Sequence, residues 1–201
     1  ETGVGHLATG RFTHRFNPRT SIFGEYTYLN RNFDPPSIDY QVHRPSLGIE
    51  HAFSPTLSGR GQVGYFWQDP RRGSTSGGLY YDLLLTERRE RTTYTIGFQG
   101  GYVEEYFTAE NLGFTRSHRI IGTVSHRLFE RMTVGGRGSY ERAKYATGSV
   151  DRIWGAGVNA SYQVLRWLAL SLEFSHRENH SNLSERDYSE YRGLLRITAS
   201  Y

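Results

Sequence analysis

An all-β meander is what this sequence predicts, and three observations predict it. Apolar residues recur at spacing two along one stretch after another. Tight polar turns alternate with longer connections rich in Gly, Ser, Asp and Asn from end to end. The segments between these connections run mostly 11–16 residues, against about 5–6 for a usual soluble strand.

The elements follow in order. Strand 4–16 places Arg11, Thr13 and Arg15 on one face and ends on Phe16 before the turn "HRFNPRTS", where Pro18 presets φ. Strand 20–33 sets Glu25 and Thr27 on one face, and 40–53 does so with Arg44, Ser46, Gly48 and Glu50 before Phe53. After "HAFSPTLS", strand 56–68 is sharply two-faced: Leu57, Gly59, Gly61, Val63, Tyr65 and Trp67 against Ser58, Arg60 and Gln62. Strand 79–88, with Asp82 on its polar face, has the weakest pattern. Strand 92–102 recovers it with Tyr94, Ile96, Phe98, Gly100 and Tyr102. Strand 114–129 presents Arg119, Thr123, Ser125 and Arg127, and 132–145 presents Thr133, Arg137, Ser139 and Glu141. Strand 151–163 carries Trp154, Ala156, Val158, Ala160 and Tyr162. In 167–179, Leu168, Leu170, Leu172 and Phe174 oppose Ser171, Glu173, Ser175 and Arg177; a 3.6-residue period cannot gather these leucines on one face. Strand 188–201 alternates Tyr191, Gly193, Leu195, Ile197, Ala199 and Tyr201 with Glu190, Arg192, Leu194, Arg196, Thr198 and Ser200. That makes about eleven strands in one domain, 1–201.

Composition narrows the class. Hydrophobic residues make up 36% of 201 residues, Tyr (15) and Phe (11) supply much of that, and the formal net charge is +4. Disordered chains lack aromatics, and this one is 14% aromatic. No cysteine is present, so neither a disulfide framework nor a thiolate metal site is available. No run of roughly 18 apolar residues offers a membrane helix, and the opening residues do not read as a signal peptide. Lys144 is the single lysine. The basic excess is therefore arginine, suited to bidentate contact with carboxylate or phosphate, although a genome rich in arginine codons explains it equally.

The apolar face decides between a soluble sheet and a membrane. It mixes Leu, Val, Ile, Ala and Gly mid-strand with aromatics toward the ends: Phe16, Phe53, Trp67, Tyr102, Phe129, Trp154, Tyr162 and the final Tyr201. An aliphatic band between two aromatic girdles is the signature of a membrane-spanning barrel. Small residues facing a packed core would leave cavities, whereas acyl chains fill such gaps. About 9–11 tilted residues cross a bilayer, and a sheet in lipid must close because unpaired edges cannot be satisfied there. The expected fold is thus a transmembrane up-and-down antiparallel β-barrel. If the short turns are periplasmic, the first and last strands run the same way, and eleven is odd where bacterial barrels are even. The chain is therefore expected to be the C-terminal part of a larger even-stranded barrel lacking at least one N-terminal strand; a miscounted hairpin around Leu79–Thr93 is the competing reading.

The closing pattern, an alternating strand ending on an aromatic, resembles the C-terminal signal by which bacterial outer-membrane proteins are recognised for insertion, with Tyr201 where Phe is commoner. Together with the repeated "F-[NS]-P-x-[TL]-S" turns, the tyrosine-rich strands and the Gly/Ser-rich loops, it makes the whole chain similar to outer-membrane β-barrel porin families, some found with exopolysaccharide-export genes. The resemblance implies location in the bacterial outer membrane, contact with the bilayer and lipopolysaccharide, recognition by the barrel-assembly machinery through the last strand, and an export or electron-transfer complex as partner in some cases.

"HSN" at His180–Asn182 puts a hydroxyl beside an imidazole, but adjacent side chains on an extended segment point apart and no orienting third group follows. The histidines show no close i, i+2 cluster, and His14 and His126 read as interface residues. Glu104–Glu105 reads as solvated charge, and "GVGHLATG" lies in a strand and is no phosphate cradle. Arginines divided between faces and ends argue against nucleic acid. No catalytic residue, metal or cofactor is expected, and the chain is not read as an enzyme.

What remains is the polar face. Arg44, Glu50, Arg60, Arg119, Arg127, Arg137, Glu141, Glu173, Arg177, Arg192 and Arg196 are expected to line the lumen. Either they border a wet channel biased toward anions, or they pair into ladders that stiffen a closed interior. A barrel of this size or larger leaves an aqueous interior, which favours passive or partner-gated passage of small polar or anionic solutes. The alternative is a structural, adhesive or complex-anchoring barrel.

Overall fold

A computed structural model of the chain describes residues 3–33, 39–71, 73, 75–104, 114–145 and 148–199. Eleven strands form one sheet in sequence order, β1 to β11. They are β1 (Gly3–Asn17), β2 (Thr20–Phe33), β3 (Tyr40–Ala52), β4 (Leu57–Pro70), β5 (Ser76–Arg88), β6 (Thr92–Glu104), β7 (Phe114–Phe129), β8 (Met132–Tyr145), β9 (Val150–Leu165), β10 (Leu168–Ser181) and β11 (Tyr188–Ala199). The hairpin in doubt at the sequence level is two strands: the Arg89 amide donates to the Thr92 carbonyl at 2.8 Å and closes a turn between β5 and β6. β5 begins three residues before the expected 79. Gly77 and Gly78 lie against the backbone and ring of Phe66, pairing by close approach where no side-chain alternation is visible in sequence.

The chain divides into two compact units, Glu1–Leu83 with Gln99–Gly101, and Leu84–Phe98 with Tyr102–Tyr201. In the first, β1 to β4 pair antiparallel over long registers. Side chains build their tight connections. The Asn17 carboxamide accepts the Arg19 amide at 2.9 Å, and the Ser54 hydroxyl accepts the amides of Thr56 and Leu57 at 3.2 and 2.9 Å. In the second, β7 to β11 pair likewise. Register breaks at Arg127/Phe129 and Leu168/Ala169 fall beside the short turns, as the break at Arg15/Asn17 does in the first unit.

Burial is inverted relative to a soluble sheet. In β4 of the first unit, Gln62 is 1% exposed while its neighbour Val63 is 54% exposed. Every buried, non-glycine strand residue among the described residues lies on the face that carries the charges: Phe23, Thr27, Leu29, Tyr40, Val42, Ser46, Gln62 and Phe66 in one unit, Thr115, Ser117, Ala143, Tyr145, Asp151 and Asn179 in the other. The opposite face leaves Phe12, Leu47, Val158, Leu172, Leu195 and Ile197 open. Apolar surface of this extent has no stable interface with water.

Candidate solute pathway along the polar face

In the first unit the polar face is interlocked. Register puts Phe23 opposite Gly48 and Gly48 opposite Gln62. A Cβ at position 48 would run into the Phe23 ring, so glycine is what lets the ring lie along the sheet. Arg11 and Arg60 cover that ring, their guanidinium carbons 3.8 and 5.1 Å from its centroid. Arg11 pairs with Glu50 at 2.7 Å, and Arg60 lies 4.0 Å from the same carboxylate. Arg60 donates to the Gln62 carboxamide at 3.1 Å; Gln62 in turn donates to Glu25 at 3.1 Å and to Ser46 at 2.8 Å. Arg44 closes the chain, 3.5 Å from Glu25, donating to Thr27 at 2.9 Å and lying 4.2 Å from the Tyr80 ring centroid. Arg11, Arg44 and Arg60 are thus each held by a carboxylate and an aromatic face.

The second unit is looser. Arg137 reaches across β9, its stem against Gly157, to meet Glu173 of β10 at 2.9 Å. Arg119 lies 4.0 Å from Glu141. Arg177 lies 6.0 Å from the Tyr188 ring centroid. Arg127, Arg192 and Arg196 make no ion pair among the described residues. On this face Arg119, Arg127, Arg137, Arg177, Arg192 and Arg196 stand against Glu141, Glu173 and Glu190, with Asp151 taken by Arg186.

Of the eleven residues expected along the lumen, Arg44, Glu50 and Arg60 lie on the polar face of the first unit and the other eight on the polar face of the second. The sequence reading missed Phe23, Gln62 and Tyr80, which organise the arginines of the first unit, and Asn159 and Asp151 in the second. It also missed Arg186, in the connection between β10 and β11. A single 3₁₀ turn, Ser184–Arg186, folds Arg186 back onto Asp151 at 3.1 Å and onto Ser149 at 2.9 Å, over the Tyr145 ring at 4.3 Å. Asn179 donates to the Arg186 carbonyl at 2.8 Å, and the Asp187 carboxylate accepts the Ser181 amide at 2.6 Å. The side chains of "HSN" turn to local partners: His180 lies 3.1 Å from Glu178 and the Ser181 hydroxyl accepts the Leu183 amide at 3.2 Å. Among the described residues no three metal-ligating side chains come together.

The described aromatics expected at the membrane interface stand on the apolar faces of their strands or in the turns that follow. Phe16, Phe53, Phe129, Trp154 and Tyr162 are exposed, and Trp67 stacks on His43 at 5.4 Å, whose ring nitrogen meets the Tyr26 hydroxyl at 2.6 Å. Tyr102 is half-buried. His14 packs edge-on to Phe16, and His126 hydrogen-bonds Thr92 at 2.8 Å. Tyr201, Glu105 and most of the 103–113 connection lie outside the described residues.

The sequence model of a family described as "Putative beta-barrel porin 2" matches residues 4–201. Among solved structures, the FrpB iron transporter from Neisseria meningitidis aligns with 98% of this chain at 11% identity and a TM-score of 0.69. The chain spans 41% of that protein's length. A loop L8 deletion mutant of OmpT, an outer-membrane protein of Vibrio cholerae, aligns over 98% of this chain and 99% of its own at 7% identity and a TM-score of 0.54. The NanC porin covers 99% of this chain and 98% of its own length at 8% identity and a TM-score of 0.50. A comparison with curated proteins gives no match. At these identities the structural likeness speaks for the fold, that of an outer-membrane β-barrel.

Proposed function

The chain belongs to the family described as "Putative beta-barrel porin 2", a bacterial outer-membrane porin family, and from that premise we propose that its polar face borders a water-filled path for small polar solutes, with a preference for anions. The observation that carries this reading is the charge imbalance across β7 to β11, where six arginines of the polar face stand with three glutamates and Arg127, Arg192 and Arg196 have no ion pair among the described residues. Cations held near a low-dielectric wall raise the local anion concentration, and the effect reaches about a Debye length, roughly 8 Å at physiological salt. A porin family membership also supports a non-enzymatic role.

Anion preference is read as the reversal potential across a planar bilayer in a salt gradient. Converting Arg127, Arg177, Arg192 and Arg196 to Glu spares the Arg137–Glu173 and Arg119–Glu141 contacts and moves the preference toward cations, more at low ionic strength than at high. A folded quadruple variant that conducts with unchanged ion preference overturns the proposal. The interlocked polar face of the first unit supports a second reading, a closed barrel that anchors or displays a partner; absence of any conductance from refolded protein would favour it.

A further inference from the structure

A cavity of about 250 Å³ opens on the polar face of the second unit, between β8 and β11. We infer that it is a binding subsite for a small carboxylate bearing neighbouring hydroxyl groups, a proposal that rests on the solute-path reading because it needs this face to meet water. The donor inventory of its wall carries the inference. Arg196 enters it with no partner among the described residues and offers the planar fork that fits a carboxylate. Directly opposite Arg196 in the register stands Ser171, which donates to Ser161 at 3.1 Å. Ser161 keeps its own O–H to give, and the Asn159 carboxamide has no hydrogen-bond partner among the described residues. Glu173 is oriented by Arg137 through one oxygen, which leaves the other to accept a hydroxyl proton.

This set is more selective than a charge alone. A halide or acetate uses Arg196 and leaves Asn159, Ser161 and the free oxygen of Glu173 to water. A neutral sugar uses those three and leaves Arg196 unmatched. A hydroxylated carboxylate engages both halves at once, with Leu194 beside its C–H surface. The cavity is open and its arginine solvated, which suits a path in which solutes must leave as readily as they enter.

The test is saturation-transfer NMR on the refolded full chain in nonionic micelles, with glucuronate as probe and acetate, glucose and inorganic phosphate as competitors. Heat-modifiable gel mobility verifies the fold of each variant. Glucuronate is expected to receive saturation at millimolar concentration, to be displaced at least tenfold less effectively by acetate or glucose than by itself, and to lose binding at least tenfold in Arg196→Gln. Ser161→Ala with Ser171→Ala, a smaller perturbation of the wall, weakens glucuronate severalfold and leaves acetate unchanged; Arg152→Gln, on the opposite face, changes neither. No saturation of glucuronate, equal displacement by acetate, glucose or phosphate, or retention of binding in folded Arg196→Gln each overturns the subsite. The solute path itself is judged separately by the reversal potential, so a folded chain that conducts with anion preference but ignores glucuronate refutes the subsite alone.

Discussion

Replacing Arg186 by Met is the sharpest probe of how the second unit holds its polar end. Asp151 is 2% exposed and meets one guanidinium nitrogen of Arg186 at 3.1 Å, while its other oxygen has no hydrogen-bond partner among the described residues. Arg186 is 15% exposed and also holds Ser149 and the Tyr145 ring. A methionine keeps the apolar stem but leaves the Asp151 charge buried with nothing opposite it. Breaking a buried pair from one side costs about 3–5 kcal/mol. The reverse change, Asp151→Asn, removes the charge that is hardest to solvate and leaves an arginine with some access to water. Its cost should be smaller, about 1–3 kcal/mol from the lost charged hydrogen bond. The double variant strands no charge, so its total should fall short of the summed singles by at least about 1 kcal/mol. Urea titration in lipid vesicles followed by tryptophan fluorescence measures all three. Additive losses, or an Arg186→Met cost below about 1 kcal/mol, would show that the contact is incidental to the fold.

Three further expectations test the faces and the topology. Leu172 is 58% exposed on the apolar face of β10, so Leu172→Arg should destabilise the barrel by roughly 2–4 kcal/mol in a bilayer; Ser171→Arg, one residue away on the polar face, should cost much less, and equal losses on refolding into liposomes would reverse the assignment. Gly48→Ala forces a Cβ into the Phe23 ring, with an overpacking cost of about 1–3 kcal/mol; if the ring is the obstacle, Phe23→Leu in the same chain recovers part of that loss in urea titration, and no recovery would place the strain elsewhere. Cysteines at Arg131, in the turn between β7 and β8, and at Ser184, in the β10–β11 connection, report topology: an impermeant thiol reagent should label Ser184→Cys and spare Arg131→Cys on intact cells, because the longer connections are expected outside. The opposite labelling pattern would invert the barrel.

The strands were legible because alternation is a local property: Leu168, Leu170, Leu172 and Phe174 declare a face by spacing alone, and boundaries such as 20–33, 114–129 and 132–145 follow from it unchanged. Where side chains vanish the signal does too, which is why Gly77 and Gly78 hid the first residues of β5. The polar face was legible as a set of residues and illegible as a set of partners. Alternation says that Arg137 and Glu173 share a face; it cannot say that Arg137 crosses a whole strand to reach Glu173, because that depends on Gly157 leaving the crossing open. Likewise Phe23 reads as an apolar residue out of place until Gly48 is known to lie opposite it and two arginines to cover it. Arg186 is the strongest case, since "HSNLSERD" has the composition of a solvated loop, and nothing in its order tells that one arginine turns back onto an aspartate 35 residues earlier (186 − 151). Charge on such a face is therefore settled by two-dimensional neighbourhood, and a sequence states only one of the two dimensions. That distinction bears on function. On the reading proposed above, the arginines that attract a solute are those the neighbourhood leaves uncompensated: the second unit holds Arg127, Arg192 and Arg196 without an ion pair among the described residues, whereas in the first unit Arg11, Arg44 and Arg60 are taken up by Glu50, Glu25 and the Phe23 ring.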